Sequence, residues 1–529
     1  MKNRRKFEIK LKNKGKLMID VETIRRNFPY LADALSMQLQ NSGEKRIFLD
    51  NTASTQLALP VLESLNQAVF RYANIHRGEY KASQETTEEF EKTYNISANL
   101  VNADSWREII LGRNTTEMIN LVMRCLQDEF TDRDNVVATR LEHNSNYVPW
   151  HALQQKLARK GQSIEIRLVD FDKETGELDL EMLGRMVDKR TKLVTVTGAS
   201  NFMGVKPDIA AIGQIAHSSQ YKQPNGFRGS YFLVDAAQLV PGNFVDVKQT
   251  GCDFLAWSFH KMGVPLGVGG LYARKELMES FDPFLFGGDM IEDVKEGEVK
   301  YKSLPWKYTA GTPNILSTIA SGKGISFLIN AGRNSLFTGA LDAGNAEGKI
   351  KSLCEQIETD ILLNTPRGDF EIKYTVPKEH QEYFRQHLKR NPELEGKLKD
   401  PKQRLLLAKQ TIQQAMTNIM QYEQMLAQYT IDRLTEIPNV TLYGPRDAVK
   451  RASLVAFNIS KMTPQAVAFE LNKRRIEVRN GNHCASLAHQ YLGLEGTARM
   501  SFYIYNTKEE VDQAVQAISE ISKIAGEAR

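Results

Sequence analysis

Cysteine is scarce in this chain of 529 residues: there are four, Cys125, Cys252, Cys354 and Cys484, far apart and without a CxxC pair. That spacing argues against a disulfide framework and a structural zinc site, and a reducing cytosol is the expected compartment. Long apolar runs are missing as well. No stretch approaches the ~20 residues of a membrane span. Basic surplus is confined to one place: Lys2 to Lys16 holds eight Lys or Arg against Glu8, a surplus of seven in a chain of net charge +5, so the remainder stands at −2. A body of that charge does not present a nucleic-acid surface. The opening also lacks the apolar core of a secretory signal, and residues 1–18 read as a frayed, disordered basic tail.

What is present is bulk and alternation. With 41% hydrophobic residues the chain can bury a large core and divide into two or more domains. Between about residues 45 and 330, strand-like runs (Glu108 to Leu111, Asn135 to Ala138, Leu193 to Thr197, Gly267 to Tyr272) alternate with helical patterns. Met118, Leu121, Val122, Cys125 and Leu126, for example, trace one apolar helix face. Such alternation predicts an α/β fold with a mostly parallel sheet covered by helices on both sides. After about residue 436 the pattern becomes strand (Leu454 to Asn458), helix (Pro464 to Lys473), two strands (Ile476 to Arg479, Ala498 to Tyr503) and a closing helix from Thr507, a compact α+β unit.

Residues 331–404 fit neither part; charge-rich and broken by Pro366-Arg367-Gly368 and Pro392, they read as an inserted, partly helical excursion. From Pro401 onward Leu405, Ile412, Ile419 and Leu426 recur every seven residues, as in one long helix packed against its own chain. The expected organisation is a large domain over 19–330, whose segment 19–44 packs with the small domain, the insertion, a connecting helix over 405–435 and a small domain over 436–529.

Two charges sit where a coenzyme needs them. Asp235 closes the run Tyr231 to Val234, and Lys261 ends Ser258-Phe259-His260-Lys261 after the run Phe254 to Trp257. Both runs read as buried parallel strands, whose carboxyl ends face the crevice where open α/β sheets bind ligands. Pyridoxal phosphate needs that combination, an amine to bond its aldehyde and an acid to keep its ring nitrogen protonated. Either residue alone has a plainer reading, Asp235 as a helix cap and Lys261 as a solvated lysine. Gly112 to Thr116 brings free backbone N–H groups and the hydroxyls of Thr115 and Thr116 to a positive helix end that suits a phosphate, while Thr115 alone also reads as an ordinary N-cap. His143 follows the strand around Val137 and offers an imidazole to stack on a ring. Asn201, Gln238, Ser258 and His260 fall at strand ends, where short polar side chains hold a phenolate oxygen or a phosphate.

Five segments, Ile75-His76-Arg77-Gly78, Arg113-Asn114-Thr115-Thr116-Glu117, Val234-Asp235-Ala236-Ala237-Gln238, Ser258-Phe259-His260-Lys261 and Ala310-Gly311-Thr312-Pro313-Asn314, resemble the signatures of class V aminotransferase-fold enzymes that use pyridoxal phosphate. Within that family the chain is most similar to the type II cysteine desulfurases and the related selenocysteine lyases. The resemblance covers residues from about 19 to 330 and 405 to 525, and implies the fold type I of pyridoxal-phosphate-dependent transferases. It also implies roles: Lys261 bonds the cofactor, Asp235 partners the pyridinium, His143 stacks on the ring and Gln238 partners the ring hydroxyl. Thr115, Thr116, Ser258 and His260 hold the phosphate, joined by Thr312 from the second subunit of a homodimer. Asn201, which also touches the cofactor, and Arg499, whose planar fork suits the task, hold the substrate carboxylate, with His76 and Arg77 also at the substrate.

Cys484, in Arg479-Asn480-Gly481-Asn482-His483-Cys484-Ala485, falls in the family segment that carries the desulfurases' nucleophile. The thiolate is the reactive form, and His483 or Arg479 is expected to favour it. A plainer reading is an inert buried cysteine, which is what Cys125 and Cys252 are expected to be. Asn482 and Asn144 stand where the family commonly has histidines. The expected activity is a desulfurase that converts L-cysteine to L-alanine, leaves a persulfide on Cys484 and passes sulfur to an acceptor protein. Two alternatives stay open: an aminotransferase, epimerase or selenocysteine or other β-lyase acting on a different amino acid without Cys484, and a binding partner organised around the insertion.

Overall fold

The computed structural model describes residues 19–31, 46–336 and 346–527, so the basic tail and residues 32–44 of the expected N-terminal segment lie outside the described residues. Seven strands build the large sheet: β1 (Ile109–Gly112), β2 (Asn135–Thr139), β3 (Glu165–Val169), β4 (Thr191–Thr197), β5 (Tyr231–Asp235), β6 (Phe254–Ser258) and β7 (Gly269–Ala273). They lie in the order β1-β7-β6-β5-β4-β2-β3. All neighbours are parallel except β7, which is antiparallel to β1 and β6. Every residue of β2, β4, β5 and β6 is buried, as strands covered on both faces must be. The chain steps from β2 outward to β3, then back across to β4, so the direction of winding reverses between β2 and β4. A crevice opens at the carboxyl ends there.

Helix α1 (Thr115–Leu126) packs its apolar face on β6 and β7. Its entry turn lies so close to β7 that a Cβ on Gly269 would come within 2.5 Å of Asn114 Cα. Glycine is required there by contact rather than by conformation. Helix α2 (Ile315–Arg333) runs past residue 330 and stops at Asn334, whose φ of 58° is the left-handed conformation common just beyond helix ends. The large domain therefore reaches slightly into the segment read as insertion.

The insertion is mostly helical. Helix α3 (Ala346–Leu363), two short helices (Gln381–Arg390, Pro392–Lys399) and the start of α4 (Pro401–Thr435) gather Cys354, Ile357, Leu362, Phe384, Leu398 and Ala408 into a separate small core. Buried Arg367 fastens it to the large domain, donating to Asn99 Oδ1 at 2.8 Å and Asn102 Oδ1 at 3.2 Å. The connecting helix starts at Pro401 rather than at 405, because Asp400 accepts the N–H groups of Lys402 and Gln403 and proline suits the first helical position. Its stripe Ile412, Met416, Ile419 and Leu426 is buried.

Strands β8 (Val440–Tyr443), β9 (Leu454–Ile459), β10 (Arg479–Gly481) and β11 (Thr497–Ser501) form an antiparallel sheet in the order β8-β9-β11-β10. Pattern reading passes over β8, a short edge strand with little buried surface. It also joins what the structure separates: Ile476 and Glu477 leave the sheet to pair in parallel with Ile47 and Phe48, and only from Arg479 does the chain enter β10. The N-terminal segment is stitched to the same region, with Arg25 donating to Tyr505 O at 2.6 Å and to Glu510 at 2.8 Å, and Phe28 packed edge-on at 4.6 Å from Tyr505. Among the described residues no helix is long and apolar enough to cross a membrane.

Candidate active site

A cavity of about 390 Å³ lies between the carboxyl ends of β4 to β6 and the small-domain residues Arg479, His483, Cys484 and Arg499. Asp235, the last residue of β5, is buried in its floor, with Oδ1 accepting the Ala237 N–H at 3.0 Å. One strand over, β6 leads into a single turn, Phe259–Lys261, that delivers the Lys261 amine into the same space. Burial lowers that amine to about 8, with Asp235 pulling the other way. The neutral, nucleophilic form is thereby within reach near neutrality, at about a tenth of molecules at pH 7 rather than well under a thousandth for an ordinary lysine.

His143 sits at the head of the turn Asn144–Asn146. Its Nδ1 accepts the Ser145 N–H at 3.1 Å, and burial pushes the ring toward its neutral form, so the proton belongs on Nε2. Buried Glu142 anchors this turn, accepting from Thr139 Oγ1 and Asn146 Nδ2 at 2.6 Å each and from the Thr197 N–H at 2.9 Å. Gln238, also in the cavity wall, donates to Thr52 O at 2.8 Å.

At one end of the cavity the start of α1 meets the end of β6. Asn114, not Thr115, is the N-cap, accepting the Glu117 N–H at 3.0 Å. The Thr115 N–H is thereby left to Ser258 Oγ, at 2.8 Å. Thr116 Oγ1 lies 2.8 Å from Ser145 Oγ, and both residues line the cavity. His260 joins them with its ring held neutral, lowered to about 4 by burial and by Lys261, so it meets an anion as an N–H donor rather than as a cation.

Arg499 on β11 is 3% exposed and stays charged, although burial lowers it to about 10. Its Nη1 donates to Asn201 O at 2.7 Å and its Nη2 lies 3.4 Å from Asp50, while its buried Nε has no partner among the described residues. A charged guanidinium lining a cavity suits a carboxylate. Asp50 also holds Arg479, at 2.8 Å.

Cys484 is exposed, between β10 and the helix Ser486–Leu492. His483 is not the cation expected beside it. Burial and Arg499 lower its imidazole to about 2, and Nε2 faces Thr497 Oγ1 at 2.9 Å. Burial pushes the thiols of Cys125 and Cys252 up to about 12. Cys252 is a core residue and Cys125 a partly buried one.

Lys261, Cys484, His143, Thr115, Thr116, Asn201, Asp235, Gln238, Ser258, His260 and Arg499 thus converge on one cavity. His76, Arg77 and Thr312 do not line it. Thr312 is exposed in the loop before α2. His76 borders a second hollow of about 550 Å³ with Glu88, Glu91 and, from the insertion, Lys373, and Arg77 lies 3.6 Å from Asp289. Sequence reasoning missed Asp50, Thr52, Ala53 and Ser145. The first three follow Ile47-Phe48-Leu49, a short apolar run ending in a carboxylate, which is the signal that identified Asp235.

The donor set fits pyridoxal phosphate: a buried carboxylate for a pyridinium, an amine of lowered basicity, a neutral imidazole, and hydroxyls with a helix N-terminus for a phosphate. The sequence profile described as Aminotransferase class-V matches residues 47–338 and 406–514. The chain belongs to the aminotransferase class-V family. The gap in the match falls on the insertion of this class-V chain. It is 29% identical to a cysteine desulfurase of Haloferax volcanii, over 94% of this chain and 96% of that one. It is 32% identical to a probable cysteine desulfurase of Pyrococcus abyssi, over 90% and 94%. Among solved structures, the apo cysteine desulfurase of Thermococcus onnurineus NA1 is similar at a TM-score of 0.71 and 29% identity, covering 96% of this chain and all of that one.

Proposed function

We propose that this class-V chain is a pyridoxal-phosphate-dependent cysteine desulfurase that converts L-cysteine to L-alanine and stores the sulfur as a persulfide on Cys484. The observation that carries the reading is the presence of an exposed thiol, Cys484, in one cavity with Lys261, Asp235 and the guanidinium-bearing Arg499. Asp235, Lys261 and Gln238 would hold the ring, and Thr115, Thr116, Ser258 and His260 the phosphate. When bound, the cofactor supplies an aldehyde for the substrate amine and a ring that takes up electrons from the substrate's Cα.

Arg499 and Asn201 orient the substrate by its carboxylate. Lys261 Nζ, whose lowered basicity leaves more of it neutral, would take the α-proton and return it to Cα before alanine leaves. Neutral His143, its tautomer set by the Ser145 N–H, presents Nε2 to the cavity as a donor. Cys484 Sγ forms a bond to the substrate sulfur as the Cβ–S bond breaks; that bond's electron pair stays with Cβ, where a proton follows it. The products are alanine and a Cys484 persulfide. Exposure of Cys484 lets a thiol acceptor collect the sulfur by exchange.

The working unit is read as a homodimer in the cytoplasm. Thr312, exposed and away from its own chain's cavity, is then free to serve its partner's phosphate site. Incubation with L-cysteine followed by mass spectrometry should show one added sulfur on Cys484. In Cys484→Ser, sulfide release should fall to background with the cofactor absorbance intact; release at the wild-type rate rules out the assignment.

A further inference from the structure

The loop that carries Cys484 is tied to the large domain at two successive carbonyls, those of His483 and Cys484 itself. Asn201, just beyond β4, donates Nδ2–H to His483 O at 2.6 Å, and Asn144 donates its backbone N–H to Cys484 O at 2.6 Å. Asn144 grips the loop again through Ser486, with Nδ2 3.3 Å from Ser486 Oγ and Oδ1 3.4 Å from Ser486 N. Between these ties His483 and Cys484 have φ of 51° and 55°. Non-glycine residues seldom adopt that region, and two in succession persist only where surrounding contacts hold them. The nucleophile is thus on a strained segment that the large domain keeps in place.

Asn201 has a second call on its amide. It lies against Arg499, whose Nη1 donates to the Asn201 backbone O at 2.7 Å, and the two form the corner in which a substrate carboxylate is read to sit. A carboxylate is an anionic acceptor, and hydrogen bonds to it are roughly twice as strong as those to a neutral carbonyl. Nδ2 carries two N–H groups with one on His483 O, and a carboxylate in this corner, as the stronger acceptor, draws the whole amide away from that carbonyl.

We infer that Asn201 is a positioning residue for Cys484: in the resting protein it holds the nucleophile's loop through the His483 carbonyl, and on binding the substrate carboxylate takes over the amide and releases the loop. The inference rests on reading the cavity as an amino-acid site. It couples recognition of the carboxylate to freedom of the thiol, so that Cys484 becomes mobile when a substrate is in place.

The test is the rate at which iodoacetamide alkylates Cys484 in the holoenzyme, followed by mass spectrometry of the peptide containing it, with and without saturating L-alanine, which has the carboxylate but no sulfur. Wild-type alkylation should accelerate about fivefold or more with L-alanine. Asn201→Ala, and the size-conserving Asn201→Asp, which cannot donate, should react at the fast rate without L-alanine and show no further response. Asn144→Ala removes only the Ser486 grip, and should raise the resting rate while keeping the response. Wild-type protein unresponsive to L-alanine, or Asn201 variants alkylated at the resting wild-type rate, would overturn the proposal. Persulfide formation from L-cysteine, read in the same spectra, tests the desulfurase activity separately and can fail while the alkylation pattern holds.

Discussion

Thr115 and Ser258 are joined twice, by the Thr115 N–H to Ser258 Oγ at 2.8 Å and by their hydroxyl oxygens at 2.7 Å, so the first residue of α1 is locked to the last residue of β6. A hydroxyl shared in this way positions both partners for an anion. Ser258→Ala removes one of the donors proposed for the phosphate and loosens the helix start, and should weaken retention of pyridoxal phosphate by about tenfold, the ~1–1.5 kcal/mol of one hydrogen bond. Equilibrium dialysis of the cofactor measures it; unchanged affinity would place the phosphate elsewhere.

Gly269→Ala tests the same corner from behind. The new Cβ would stand 2.5 Å from Asn114 Cα, and backbone cannot yield as a side-chain tip does. The entry turn of α1 has to move, at a cost of about 1–3 kcal/mol in stability. Urea unfolding should show that loss, accompanied by weaker cofactor binding. A variant with wild-type values for both would mean that the turn is not set by this contact.

Lys261 provides a pH dependence with a definite sign. Its amine, lowered from 10.5 to about 8, is mostly protonated below pH 8 and mostly neutral above it. Only the neutral amine attacks an aldehyde. The rate at which cofactor-free protein captures pyridoxal phosphate, followed by its absorbance, should rise from pH 7 through about 8 and then level off. A rise that continues to pH 10 without a bend would indicate an unperturbed lysine.

Glu423, on α4, is buried against Gly242 and Ser453, with one carboxylate oxygen unpartnered among the described residues. Burial raises it from 4.5 to about 8. The folded state therefore binds this proton more tightly than the unfolded chain does, and its stabilising effect, complete below about pH 4.5, is lost as pH rises through 8. The loss is steepest between the two values, at no more than about 1.4 kcal/mol per pH unit. Glu423→Gln should flatten the decline of Tm between pH 5 and 8 relative to wild type. An identical decline in both proteins would exclude Glu423 as its source.

The strands that hold the site were legible because their chemistry is local. Tyr231 to Val234 and Phe254 to Trp257 are apolar throughout and end in polar residues, and that pattern alone places Asp235 and Lys261 at strand ends. β8 was passed over because Val440-Thr441-Leu442-Tyr443 is only four residues long and buries one of them, too short a run for its alternation to stand out. The cap of α1 fell one residue early of the expected Thr115 because Asn114 and Thr115 are both good caps. Only the packing of β6 decides which hydroxyl is needed elsewhere.

By itself the sequence determined the α/β class, the parallel sheet, the heptad helix and the placing of Asp235 and Lys261 at strand ends, because each depends on periodicity or on residue type at an element's end. Tertiary structure alone decided that His483 is a neutral buried ring rather than the partner of Cys484, that Asp50 bridges Arg479 and Arg499, and that Asn144 and Asn201 hold a loop more than 280 residues away. These depend on burial and on distances between remote segments. Charge state and hydrogen bonding follow from what surrounds a side chain in space, which a linear order of residues does not contain.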